Sequence, residues 1–208
     1  MYHIPHFKAR SNSEVLAFMQ AHPFVTVVAV NAANQPIVTH IPVCISVHED
    51  GTVNLSGHVM RQQEHTRAME INNDVMVVFQ GAHAYVSAQL YEPQNTASTW
   101  NYSAVHARAK VKWMDDEGLL DVLDRLTKQF EPKNSVSLVE HMDPAYVKQH
   151  MKAIIGFEME VYDLQHVFKW SQNKDTATVS RITDALNKGN FIEQQLAAEM
   201  LLHHSKHD

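Results

Sequence analysis

A single cysteine, Cys44, in a chain of 208 residues excludes any intrachain disulfide. Its place in an apolar, strand-like run makes it a buried, inert thiol rather than a nucleophile. The sequence has no apolar run of about 18 residues or more, the length that a membrane-spanning helix needs. The N-terminal Met1-Tyr2-His3-Ile4-Pro5 lacks a charged segment leading into an apolar one, so a cytoplasmic protein with no membrane partner is expected. Positive charge is also scarce. Lys and Arg number 17 against 23 Asp and Glu, and the net charge of −6 leaves no chain-wide field for a phosphate backbone. No helix-turn-helix pattern carries a basic recognition helix, so direct binding to DNA is not expected. Fifteen histidines are present without a His-Glu-x-x-His or Cys/His ligand spacing, and no metal site is expected. His40 and His58 could face each other only if their strands were neighbours, and His203, His204 and His207 fall in a polar tail. Repeats and low-complexity segments are absent as well.

What remains is an ordinary globular composition, 45% hydrophobic and 19% charged, in a chain long enough to bury a full core. Ser11-Asn12-Ser13-Glu14 reads as a capping box opening a short helix that runs to about Ala21 and stops before His22-Pro23. Four β-branched and aromatic runs follow, Phe24 to Val30, Ile37 to Val47, Thr52 to Val59 and Val75 to Val86, the first three joined by tight turns at Asn34-Gln35-Pro36 and Glu49-Asp50-Gly51. Arg61 to Asn72 has helix-forming composition, and a further strand is expected over Val105 to Met114. Asp115-Asp116-Glu117 opens an amphipathic helix with Leu119, Leu123, Leu126 and Phe130 on one face. A second helix starts at Asp143-Pro144 and ends near Ile154, a strand covers Ile155 to Tyr162, and Thr178 to Met200 is helical with a break at Lys188-Gly189-Asn190. Consecutive antiparallel strands with a few packed helices point to a closed or nearly closed barrel, because closure removes exposed edges. The expected class is α+β, mainly β, as a single domain over 1–208 with a C-terminal helical region, about 174–208, packed on it.

The richest chemistry lies in Thr99-Trp100-Asn101-Tyr102, with Val105-His106 beyond it and Lys169-Trp170-Ser171-Gln172-Asn173 far downstream. Large apolar rings beside several hydrogen-bonding groups exceed what a surface loop needs. Trp100 serves equally as an interface anchor or a ligand contact, and the Asn101 amide needs partners if buried. On the residues alone, Lys169 and Gln172 read as a solvated strand end.

These segments, together with Pro5-His6-Phe7, His40-Ile41-Pro42, Ser56-Gly57-His58, Phe79-Gln80-Gly81, Tyr85-Val86-Ser87 and Gly156-Phe157, resemble the PaiB family, in order along nearly the whole chain. Members of that family are called FMN-binding negative transcriptional regulators and resemble the flavin-binding split barrels typified by pyridoxamine-phosphate oxidase. The resemblance implies an FMN-binding split β-barrel with flanking helices, acting as a homodimer with a flavin or other small-molecule ligand. It also implies a flavin phosphate near Ser56, His58 and Arg61, Ile41 and Pro42 near the isoalloxazine edge, and Gln80 on the neighbouring strand. Trp100, Asn101, Lys169 and Gln172 complete the implied cofactor-binding set, with Lys169 meeting an anionic group. A helix following Arg61 would add amide donors for the phosphate. Only Arg61 and Arg67 supply basic groups near that place, which implies a weak hold on FMN. The family's regulatory label and FMN set the leading expectation. A flavin-dependent oxidoreductase, a flavin reductase or a haem-binding split barrel is the alternative, with haem the less favoured cofactor. No catalytic acid, base or nucleophile is identifiable, so any redox chemistry would be carried by the flavin.

Overall fold

The computed structural model describes residues 1, 4–92 and 96–204. In chain order the elements are α1 (Asn12–Ala21), β1 (Phe24–Val30), β2 (Pro36–Pro42), β3 (Cys44–Val47), β4 (Val53–Met60), α2 (Glu64–Ile71), β5 (Asp74–Val86), β6 (Thr99–Trp113), α3 (Asp116–Phe130), α4 (Pro144–Met151), β7 (Ile154–Lys169), α5 (Thr176–Leu186) and α6 (Phe191–His204). Short 3-10 turns at Pro5–Phe7, Ala88–Leu90 and Val139–His141 carry no signal that the sequence pattern exposed. The strands form one sheet in the order β2-β1-β5-β6-β7-β4-β3. The chain divides into two compact units. One, the barrel unit, comprises Met19–Phe79 and His106–Leu164; the other, the terminal unit, comprises Met1–Phe18, Gln80–Val105 and the chain from Gln165 onward.

In the barrel unit, the expected single strand from Ile37 to Val47 is two strands, and the break makes the fold. Pro42 has no N–H to continue a ladder, and the amide of the fully buried Val43 donates to the Pro23 carbonyl at 2.9 Å instead. On one side of this corner β2 pairs antiparallel with β1, Ile41 opposite Val25; on the other, β3 pairs with β4, Cys44 opposite Ser56. One residue therefore joins the two outermost strands of the order, and the sheet must roll up for them to meet. That is the split barrel. His40 lies opposite Thr26 on β1, while β4 is flanked by β3 and β7, so His40 and His58 do not sit on adjacent strands.

Helix α3 starts as its sequence predicts: Asp115 caps it, its carboxylate accepting from Gly118 N at 2.9 Å, and Asp116 and Glu117 fill the first turn. Its buried stripe, however, is Leu119, Val122 and Leu126; Leu123 is half-buried and Phe130 is exposed. The stripe turns toward β3 and β4, where Val122 and Leu126 pack on Cys44, and a spacing of three then four residues keeps it facing them. Helix α4, by contrast, has no buried residue.

The terminal unit shows the other departures. The Thr99-Trp100-Asn101-Tyr102 segment is the first part of β6 rather than a lead-in to it, and β7 runs past Tyr162 to Lys169. The buried positions of β5 change parity: Val75, Val77 and Phe79 are followed by Ala82, Ala84 and Val86. Gln80 and Gly81 supply the extra residue that flips the strand's faces. Gly81 must be glycine there, since a Cβ would collide with Ser103 Oγ and come within 2.8 Å of the Phe18 ring. Helices α5 and α6 pack on each other with the expected break between them. His203 belongs to no polar tail: it is buried on α6, 5.1 Å from the Trp170 ring, because it continues the helix's buried stripe of Leu196, Ala197 and Met200. His207 lies outside the described residues. Among the described residues no helix is long and apolar enough to cross a membrane.

Candidate functional site

Alternation along β4 puts Asn54, Ser56 and His58 on one face and Val53, Leu55, Gly57 and Val59 on the other. The second face closes the barrel core. Gly57 is there because a Cβ would fall 2.7 Å from the Phe157 ring and 3.0 Å from the Pro42 carbonyl. The first face is the one α3 covers, since Cys44, opposite Ser56, packs on α3, and Gly156, opposite His58, abuts Leu119. Three polar residues thus lie in a sheltered row. Asn54 Nδ2 contacts His48 Nε2, but Asn54 Oδ1, Ser56 Oγ and His58 Nδ1 are buried with no hydrogen-bond partner among the described residues. Each such orphan costs on the order of 1–3 kcal/mol, so the row is an unfinished polar arrangement. Burial holds His58 below the ordinary imidazole pKa, which keeps the ring neutral near pH 7.

At the end of this row the chain turns into α2, and the turn is firmly pinned. Arg61 N donates to Ala153 O at 2.9 Å, Thr66 Oγ1 donates to Met60 O at 2.7 Å, and Arg67 Nη2 donates to Gln62 O at 3.0 Å. Arg67 therefore braces the backbone. Arg61 keeps its guanidinium outward, 40% exposed, and among the described residues its one ion-pair contact is a long one, 3.9 Å to Asp116. The α2 N-terminus begins after Gln63 with no side-chain cap, leaving its first amides available. Beyond Arg61 opens a cleft of about 1130 Å³ between α3 and α4, floored by Leu120, Val147 and Met151.

The terminal unit holds a smaller pocket of about 290 Å³, lined by Phe7, Tyr91, Thr99, Asn101, Lys169 and Lys174 among others. Lys169 Nζ donates to Thr99 Oγ1 and lies 5.7 Å from the centre of the Phe7 ring; burial lowers its pKa from the ordinary lysine value. Asn101, 1% exposed, donates through Nδ2 to Ser171 Oγ at 2.8 Å and to Met200 Sδ at 3.6 Å. Among the described residues its Oδ1 has no partner.

The model of the family described as "Putative FMN-binding domain" matches residues 1–163. Over 202 residues the chain is 31% identical to the protease synthase and sporulation protein PAI 2 (PaiB) of Bacillus subtilis (strain 168), covering 96% of each chain. The chain belongs to the PaiB family of FMN-binding domains. Solved structures share the fold at low identity. The FAD and heme binding protein from Mycobacterium smegmatis aligns with a TM-score of 0.61 at 16% identity, over 83% of this chain and 78% of that one. The flavocytochrome Anf3 from Azotobacter vinelandii aligns at 0.60 and 16%, over 81% and 72%.

The residues that the PaiB resemblance singles out fall into two groups. Ile41 and Pro42, at the end of β2, lie in the barrel unit with Ser56, His58 and Arg61. Ser56 and His58 share a face of β4, and Arg61 follows it at the turn; Ser56 is the deepest, 3% exposed under α3. Gln80, Trp100, Asn101, Lys169 and Gln172 lie in the terminal unit. There Asn101 and Lys169 line one pocket. Gln172 does not join them: its Oε1 accepts from Trp170 N at 2.8 Å and its Nε2 donates to Phe168 O, closing its own turn. Gln80 is exposed at the parity change of β5, and Trp100 is 54% exposed beside His83 and Tyr85, at ring distances of 6.2 and 6.0 Å. Asn54 and Lys174 were not singled out by the sequence. Asn54 could have been found from the polar i, i+2, i+4 alternation on a strand; Lys174 had no signal, being one exposed-looking lysine in a polar stretch. Among the described residues no group of three or more His, Cys, Asp or Glu could hold a metal ion.

Proposed function

We propose that this PaiB-family chain binds FMN on the barrel unit, with the phosphate at the turn between β4 and α2. The observation that carries the reading is the FMN-binding family match over residues 1–163, which takes in all of the barrel unit but Leu164 together with the Met1–Phe18 and Gln80–Val105 segments of the terminal unit. The geometry of the turn supports it: a backbone held by three hydrogen bonds, an outward guanidinium, uncapped helix amides and a neutral His58 three residues back along the chain on β4. Arg61 binds and orients the phosphate, His58 donates or accepts one hydrogen bond, and Ser56 supports the row from beneath α3. Ile41 and Pro42 present an apolar edge for the isoalloxazine. Bound FMN would supply electron and hydride transfer, and the protein position and electrostatics.

The active form in this reading is a homodimer, with the exposed Tyr85 and Trp100 as anchors on the terminal unit. Negative regulation then acts through a ligand or a protein partner, since the net charge of −6 disfavours a DNA contact. An absorption spectrum of the purified protein, with FMN titration by fluorescence quenching, tests the cofactor. A Soret band without flavin absorbance would replace FMN by haem. Light scattering should give twice the 23.7 kDa chain mass, and a monomer at micromolar concentration would reject the dimer. Nanomolar, sequence-specific binding in a gel shift would reject the indirect mode of regulation.

A further inference from the structure

We infer that the pocket of the terminal unit is a binding site for a small oxyanion, a carboxylate or a phosphate monoester, separate from the flavin phosphate. Two lysines line it, and among the described residues that line it none is a carboxylate. The acids nearest in sequence are engaged elsewhere: Asp175 caps α5 by accepting from Thr178 N at 2.9 Å, and Glu92 contacts Arg181 at 3.7 Å. Among the described residues neither ammonium meets a carboxylate; each has an aromatic face instead, Lys169 over Phe7 at 5.7 Å and Lys174 over Tyr91 at 4.5 Å. An aromatic face steadies a cation but does not neutralise it, and a half-buried cation without a counter-ion is costly to keep.

A purely structural role for Lys169, tying the end of β7 to the start of β6 through Thr99 Oγ1, explains one lysine and not two. It also leaves Asn101 unexplained. This side chain is almost wholly buried, lines the same pocket and has a polar atom, Oδ1, unpartnered among the described residues. A half-turn of its carboxamide would let the Ser171 hydroxyl donate to Oδ1 and free an N–H donor for an anion. The lowered pKa of Lys169 fits the same picture, because an arriving anion would restore the charged form that burial disfavours. The volume, about 290 Å³, sits at the small end of ligand sites and admits a compact molecule rather than a dinucleotide. The inference does not depend on flavin binding.

The test is an amide NMR titration of the full chain with inorganic phosphate and, separately, with acetate, at constant ionic strength in chloride. Saturable shifts are expected at Thr99, Asn101, Ser171 and Lys174, and the tighter probe identifies the class of oxyanion. Lys169→Gln should weaken the binding about tenfold or more, the weight of one hydrogen bond to a charged group. Lys174→Gln should weaken it less, and that variant decides the matter if Lys169→Gln does not fold. Arg61→Ala should leave these shifts in place, which separates this pocket from the flavin reading. Absence of saturable shifts with both salts, or unchanged affinity in the lysine variants, would overturn the site.

Discussion

The turn at Arg61 and the pocket at Lys169 are both cationic, yet they are built on opposite plans. Arg61 stands at the rim of a wide cleft, 40% exposed, with Asp116 3.9 Å away. Its charge is permanent, its fork fits a phosphate, and the backbone beneath it is braced while the side chain is left free. Lys169 is half-buried, tied to Thr99 and shielded by Phe7, in a small pocket with no acid among its described lining residues. The difference teaches that an exposed guanidinium needs a rigid loop to become a site, whereas a buried ammonium needs the absence of competing carboxylates.

The comparison can be broken hardest through the core beneath the smaller pocket. Phe168 is fully buried, 5.0 Å from the Phe18 ring and 4.9 Å from the Trp170 ring. Phe168→Ala should cost about 3–5 kcal/mol in urea unfolding. A loss below about 1 kcal/mol would mean that the site collapses around the deletion and the packing beneath Lys169 is loose. Next in size is Arg61→Ala, which should weaken FMN by about 1.5–3 kcal/mol, read by fluorescence titration. Wild-type affinity in that variant would move the phosphate away from the turn. Gly57→Ala forces a Cβ to 2.7 Å from Phe157 and should cost roughly 1–3 kcal/mol of stability. Equal stability would show that the ring swings aside and that close packing on Phe157 does not require the glycine.

The smallest effect is the response to pH. Burial lowers the pKa of His58, and of His65, His106 and His166, from the ordinary value of 6.5. The unfolded chain then binds more protons than the folded one, so stability is full above pH 6.5 and is lost as pH falls through the folded-state values. Urea midpoints measured between pH 8 and pH 5 should fall on the acid side, and His58→Gln should flatten that fall. If FMN binds as proposed, saturating flavin should steepen the fall in the wild type only when His58 meets the ligand in its neutral form.

Much of the fold was legible in the residues. The Ser11 cap, whose Oγ accepts from Glu14 N, the Asp115 cap, the β-branched runs and the break at Lys188-Gly189-Asn190 are local signals, and local hydrogen-bond chemistry decides them; the Glu14 carboxylate of the expected capping box accepts from Arg10 N instead of Ser11 N. The motif segments also carried the family without help from the structure, because they hold residues of distinctive chemistry at distinctive places. What sequence alone left undecided is what depends on distant partners. The break at Val43 follows from two different pairing partners, β1 for one side and β4 for the other, and an apolar run looks the same whichever it pairs with. Trp100 read equally as anchor or ligand contact, and only the parity of β6 turned it outward while turning Asn101 inward. Gln172 looked like Lys169's companion until its own turn consumed both ends of its amide. Sequence fixes which groups are available and which face of an element they share. Tertiary structure decides which of those faces meet, because side-chain direction repeats every two or 3.6 residues while the choice of partner has no local period.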